Sequence, residues 1–145
     1  METRMDYLKA APQPYQAMLQ LEEYLAHCSI EPKLLHLVKL RASQMNGCAF
    51  CIQLHAREAR AAGDSEQRLY GLDAWRESPY YDARERAALA WAEAVTTLDS
   101  HVPDAVFDEA RAAFGENELA DLTWAVGAIN LWNRMAISFR RPPSP

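Results

Sequence analysis

The fold of this chain is narrowed most by where its helix breakers lie. Nearly all of its five glycines and eight prolines fall between apolar segments that repeat every three to four residues. That spacing predicts amphipathic helices and leaves almost no period-two alternation from which strands are built. The expected fold is all-α. A length of 145 residues, half of them hydrophobic, fits one single-domain helical bundle with enough apolar surface to form a core without staples.

Element by element, Tyr15 to His27 reads as an opening helix with Met18, Leu21, Tyr24 and Leu25 along its packed side. Pro32 suits the first turn of a second helix, which Leu34, Leu35, Val38 and Arg41 to Met45 carry to Asn46-Gly47. A cysteine-bearing helix follows and ends near Gly63. Asp64 or Ser65 can cap a short helix through Leu72 to Trp75, before Glu77-Ser78-Pro79 breaks the pattern. Asp82 with Glu85 three residues on resembles a capping box for a long helix to about Leu98. His101-Val102-Pro103-Asp104 reads as a turn. Val106, Phe107, Ala110 and Phe114 define another helix, stopped by Gly115. The last helix runs from about Asn117 to Phe139, and residues 140–145, with the pair Pro142-Pro143, form a flexible tail. Leu122 to Phe139 is the most apolar stretch. Asn130, Asn133 and Arg134 interrupt it, so it reads as a buried central helix and not a membrane span.

Chemistry concentrates in Asn46-Gly47-Cys48-Ala49-Phe50-Cys51-Ile52-Gln53-Leu54-His55. At about 100° per residue, Cys51 lies roughly 60° round a helix from Cys48, and His55 falls between them. Three groups share one face, and a disulfide can close there. Gly47 and Asn46 suit a chain break before the helix, leaving Cys48 near unpaired N–H groups and the positive dipole end. Such a position, a neighbouring histidine or a Cys-x-x-Cys context lowers a thiol pKa from about 8.5 to roughly 3.5–7.5. The pattern describes an activated thiol, a base and a second thiol that can trap a sulfenic acid. Two other readings stand beside it: an inert pair of core cysteines, and a zinc set of Cys48, Cys51, His55 and His36. Structural zinc sites usually offer knuckle turns and two separated ligand pairs, whereas this chain has one Cys pair inside a strongly helical stretch, and redox use is the favoured reading of the three. Dipole logic favours Cys48 as the attacking sulfur, and proximity to His55 favours Cys51; spacing leaves both open.

Composition removes several function classes. Three cysteines, an odd and low number with one close pair, argue against a secreted disulfide framework and for thiol chemistry in a reducing, cytoplasmic setting. Met1-Glu2-Thr3-Arg4-Met5-Asp6 is charged and leads into no apolar run, unlike a signal peptide. A net charge of −5 without a Lys/Arg cluster disfavours nucleic acid. Cys28 is expected to pack at the end of the first helix. His101 is expected in a hydrogen-bonded turn, and His27 at the surface or an interface. Trp75, Trp91, Trp124 and Trp132 read as core and subunit-contact residues, and Asn130, Asn133 and Arg134 need buried partners.

The run Leu37-Val38-Lys39-Leu40-Arg41-Ala42-Ser43-Gln44-Met45-Asn46-Gly47-Cys48-Ala49-Phe50-Cys51 through His55 resembles the alkylhydroperoxidase D-like branch of the carboxymuconolactone decarboxylase family. The resemblance continues through Gln67-Arg68-Leu69-Tyr70, Ala74-Trp75-Arg76, Glu85 to Glu93, His101-Val102-Pro103-Asp104 and Ile129-Asn130-Leu131-Trp132-Asn133-Arg134. It implies an all-α protein that assembles as a homo-trimer or homo-hexamer. It implies a peroxidase cycle in which Cys51 attacks a hydroperoxide, Cys48 resolves the sulfenic acid and His55 activates the thiol. A lipoyl-bearing or thioredoxin-like protein would then reduce the disulfide; no bound cofactor is required and no metal is assigned. A small apolar pocket would favour organic hydroperoxides. One position departs from the pattern. Twelve residues before the first cysteine the family's peroxidases carry a glutamate, and this chain has His36, which can either relay a proton near neutral pH or fill a helix contact. A disulfide oxidoreductase or redox sensor is the alternative activity. Ring-lactone decarboxylation, suggested by the wider family name, does not typically rely on a Cys-x-x-Cys pair.

Overall fold

In a computed structural model, residues 2–99 and 101–143 are described; Met1, Ser144 and Pro145 of the two expected terminal segments lie outside them. Among the described residues the regular structure is helical, apart from one isolated bridge between Asp99 and His101. The helices are α1 (Tyr7–Ala10), α2 (Pro12–Ala26), α3 (Pro32–Asn46), α4 (Ala49–Ala61), α5 (Glu66–Tyr70), α6 (Ala83–Thr97), α7 (Asp104–Ala113) and α8 (Glu116–Phe139), with a 3-10 segment at Leu72–Glu77. The all-α expectation holds.

Local chemistry explains the boundaries, including those the sequence reading missed. The first helix begins three residues earlier than expected because Pro12 takes the first helical position, where its fixed φ and missing N–H cost nothing. The short α1 went unrecognised; Asp6 caps it by accepting from the Leu8 and Lys9 N–H groups at 3.1 and 3.2 Å. Ser65 caps α5 through the Arg68 N–H, but the helix stops at Gly71 and resumes as 3-10 turns, so no single helix reaches Trp75. The Asp82/Glu85 capping box forms in full: Asp82 Oδ1 accepts from the Glu85 N–H at 2.9 Å, and Glu85 Oε2 from the Asp82 N–H at 3.0 Å. Gly115 follows the end of α7 and also opens α8, its N–H donating to Glu118 Oε2 at 2.8 Å.

Two helices share the centre, α8, which packs against α2, α3, α4, α6 and α7, and the more completely buried α3. Helix α3 packs against α4, α6 and α8, and Leu37, Val38, Leu40 and Ala42 are wholly buried. Truncating Leu37 or Leu40 to alanine would cost about 2–5 kcal/mol. One face of α8 is buried, through Leu122, Ala125, Val126, Ile129 and Asn133, while Trp124, Leu131 and Ile137 stand exposed on the other. Among the described residues no helix is long and apolar enough to cross a membrane. Tyr24 also departs from expectation: it is exposed, with its hydroxyl donating to Asp121 Oδ1 at 2.8 Å.

Candidate active site

The site is built on the turn between α3 and α4. Gly47 adopts φ 70°, ψ 31°, a left-handed conformation that costs a residue with a Cβ about 1–2 kcal/mol. The Gly47 N–H donates to the Gln44 carbonyl at 3.1 Å and the Cys48 N–H to the Ser43 carbonyl at 3.0 Å, the paired bonds of a Schellman motif. The chain thereby reverses within two residues, and Cys48 becomes the N-cap of α4. Its sulfur accepts from the Cys51 N–H at 3.4 Å, and Cys48 and Cys51 form a disulfide with a Cα–Cα distance of 5.3 Å.

The two sulfurs have different surroundings. Cys51 lines a cavity of about 390 Å³ between α2, α3, α4 and α8, and His55, His36 and Glu58 line it as well. Tyr7, Tyr15, Phe50 and Trp132 supply an aromatic wall. Cys48 is 1% accessible and is not among the residues that line the cavity, although both cysteines pack against Ala42, Ile129 and Ala136. It sits at the dipole end as expected, but the cavity belongs to Cys51.

His36 does more than fill a helix contact. Its ring stacks on that of His55 with centroids 5.9 Å apart, and the Nδ1 atoms of both rings lie 3.2 Å from Glu58 Oε2. The approach is within ion-pair range, but neither Nδ1 has hydrogen-bond alignment with any protein acceptor. Burial pushes the His36 imidazole below its ordinary value; the Glu58 charge opposes that shift, and His55 reinforces it. Contact with His55 holds the Glu58 carboxyl below the usual carboxylate range, against the opposing effect of burial. His36 thus remains a neutral proton acceptor near pH 7 beside an ionised carboxylate. Glu58 brings a carboxylate oxygen to 3.2 Å from both imidazoles. Sequence reasoning missed Glu58; its place three residues after His55, on the same helix face, was the available signal.

A polar network fixes the turn. Asn46, the last residue of α3, donates through Nδ2 to Asn130 Oδ1 at 2.9 Å and to Asn133 Oδ1 at 2.8 Å. Asn133 is fully buried and donates to Ser43 Oγ at 3.0 Å. Asn130 donates to Thr96 Oγ1 at 3.0 Å. The interrupting asparagines of α8 thus hold the helix end that presents Cys48, and their partners are α3 and α6 side chains. Arg134 is exposed, bonded within its own helix.

Two groups shape the cavity mouth. Lys39 is buried and paired with Glu22, whose Oε1 accepts from Trp132 Nε1 at 3.0 Å. Arg141 lies over the Phe50 ring at 4.0 Å and donates to the Tyr7 hydroxyl at 3.3 Å, so this residue of the expected tail helps to line the cavity. Trp132 is therefore a cavity residue, contrary to the packing role expected for all four tryptophans; Trp75 and Trp91 are buried as expected and Trp124 is exposed. His101 sits in its turn at φ 58° and His27 is exposed, both away from the cavity. Cys28 is a free, half-buried thiol at the end of α2.

A helical bundle that presents a Cys-x-x-Cys disulfide and a histidine at an enclosed cavity defines the class. The chain belongs to the carboxymuconolactone decarboxylase family, whose model matches residues 12–94, and within it to the alkylhydroperoxidase D-like branch. The chain is 40% identical over 139 residues to the uncharacterized protein YdfG of Bacillus subtilis, with 95% of each chain covered. Its fold matches, with a TM-score of 0.95, 44% identity and 99% of both chains covered, a protein of unknown function from Agrobacterium tumefaciens. That protein bears the provisional name of an antioxidant defence protein, AhpD. The debrominase Bmp8 shares the fold alone, with a TM-score of 0.85 and 21% identity over 94% of this chain and 75% of that one. Family and neighbours support a peroxidase-related oxidoreductase role.

Proposed function

We propose that this protein is a thiol peroxidase that reduces organic hydroperoxides through Cys51 and Cys48. The observation that carries the reading is the partition of the two sulfurs. Cys51 lines the cavity with His55, His36 and Glu58, whereas Cys48, equally buried, does not line it. In the reduced protein the Cys51 thiolate attacks one oxygen of the hydroperoxide. The O–O bond breaks, the leaving alkoxide takes up a proton, and the products are an alcohol and a Cys51 sulfenic acid. His55 takes the thiol proton and returns it to the leaving group, with His36 and Glu58 positioning its ring. Cys48 then attacks the Cys51 sulfur, water leaves and the disulfide closes.

The N-cap position of Cys48 serves both halves of the cycle. Its thiolate is stabilised by the N–H groups of the first turn, which favours it as resolving nucleophile. It is equally the better leaving group when an outside thiol attacks Cys51. The two electrons come from an external dithiol. Because Cys51 is 2% exposed and reached through the cavity, a slender lipoyl-type arm fits this entry better than the surface thiol of a thioredoxin-like protein. The same burial disfavours the second reading, a disulfide exchanger or redox sensor that meets protein partners directly. The aromatic wall favours organic hydroperoxides over hydrogen peroxide, and the reading places the protein in the cytoplasm as a homo-trimer or homo-hexamer. Stopped-flow loss of thiols with cumene hydroperoxide and with hydrogen peroxide tests it: faster reaction with the organic oxidant, abolished in Cys51→Ser, is expected. Equal rates in Cys51→Ser and wild type would overturn it.

A further inference from the structure

We infer that His36, His55 and Glu58 form a binding site for a divalent first-row transition metal of the zinc class, with its open coordination position facing the cavity. Three observations carry this. Two imidazoles from different helices and one carboxylate converge, their ligand atoms all lying within 4.8 Å of one another. The Nδ1 atoms of both rings are buried without a hydrogen-bond partner, although buried polar atoms almost always have one. Finally, each Nδ1 stands 3.2 Å from Glu58 Oε2. That distance lacks hydrogen-bond alignment, but it matches the edge of a zinc tetrahedron, which is about 3.3 Å for ligand bonds of about 2.0–2.1 Å.

Two histidines, one carboxylate and an open position are a donor set used by zinc and by other first-row metals. Closing the triangle needs only side-chain rotation, which His36, with 26% of its side chain exposed, has room to make. A metal there takes the imidazole lone pairs on which proton transfer at Cys51 would depend. Reduction of the disulfide frees Cys51 in the same cavity, one turn before His55. Metal occupancy and thiol turnover are then competing uses of one site, and the metal site itself stands whether or not the thiols reduce peroxides.

The test uses the oxidised protein, whose Cys48 and Cys51 are closed as a disulfide, so that binding cannot be credited to thiolates. Zinc is titrated in competition with a chromogenic chelator, and cobalt(II) substitution is followed by its ligand-field absorption. One zinc per chain and a tetrahedral-type cobalt spectrum are expected. Affinity should fall by about 100-fold or more in Glu58→Gln and in His36→Asn, since even outer-shell changes cost ten- to a hundredfold, and should be unchanged in His27→Asn. Circular dichroism of each variant confirms the fold. Absence of zinc binding by the oxidised wild type, or binding that survives both Glu58→Gln and His36→Asn, would overturn the assignment.

Discussion

Asn133 offers the sharpest test of how the site is held in place. The side chain is completely buried, accepts from Asn46 Nδ2 at 2.8 Å and donates to Ser43 Oγ at 3.0 Å. In Asn133→Ala both bonds are lost, at about 0.5–1.5 kcal/mol each. The consequences for the two partners differ. Ser43 keeps its donated bond to the Lys39 carbonyl at 2.8 Å and loses only an acceptor role. Asn46 keeps its bond to Asn130 but is left half-buried with one N–H and no protein acceptor, a penalty of about 1–3 kcal/mol. Because these contributions overlap, the expected cost is about 3 kcal/mol. With an unfolding entropy of about 2.1 cal/mol/K per residue over a chain of this length, that corresponds to a fall in Tm of roughly 10 °C. Urea denaturation at fixed protein concentration measures it, with Ser43→Ala as the comparison, expected to cost only about 1 kcal/mol. An Asn133→Ala loss below about 1 kcal/mol, or one no larger than that of Ser43→Ala, would refute the claim that this network pins the end of α3.

The same alanine substitution should have opposite signs at two glycines. Gly47→Ala meets no steric neighbour but must hold a positive φ, and is expected to lose about 1–2 kcal/mol; Gly127→Ala, inside α8 with open space beside it, should gain about 0.5–1 kcal/mol. Both can be read from thermal melts. Burial alone would raise the Glu93 carboxyl, but hydrogen bonds from Trp75, Arg41 and Arg76 outweigh it and leave the group below its ordinary value of 4.5. A depressed folded pKa gives stability that is present above the unfolded value and lost as pH falls through the folded one. Glu93→Gln should therefore be less stable than wild type at pH 7, with the gap closing below about pH 4 in acid denaturation; a gap independent of pH would count against the ion-pair account. Glu58→Gln should slow hydroperoxide-driven disulfide formation by roughly ten- to a hundredfold, less than loss of a general base outright, as followed by stopped-flow thiol consumption.

How much of this was legible in the sequence depends on the range of the interaction involved. Signals that act within a few residues read correctly: Pro32 opening α3, the Asp82/Glu85 capping box, and Gly47 before the cysteine helix all follow from neighbouring backbone groups. The site's first members, Cys48, Cys51 and His55, were found for the same reason, since one helix carries them. Failures came where tertiary packing decides. Apolar content marked α8 as a central helix, but composition cannot tell which faces are covered, and the deeper burial of α3 against α4, α6 and α8 required the fold. Which of the two sulfurs faces the cavity was left open by spacing, because the position of Cys48 as N-cap says nothing about the helices packed over it. Arg141 reaches the cavity only through Tyr7 and the Phe50 ring, which no local pattern records; Glu58 had a local signal in its spacing from His55, but its approach to His36 required the fold. Asn133 was recognised as needing a partner, and the partner's identity required the fold.

The central claim, that Cys51 is the sulfur that meets the oxidant and Cys48 the one that resolves it, is tested most directly by peptide mass spectrometry. The reduced protein, with its Cys48→Ser and Cys51→Ser variants, is treated with one equivalent of an organic hydroperoxide. The account predicts rapid Cys48–Cys51 disulfide in wild type, a trapped sulfenic acid on Cys51 in Cys48→Ser, and an unmodified Cys48 in Cys51→Ser. Oxidation of Cys48 in the absence of Cys51, or thiols left untouched in wild type, would contradict it.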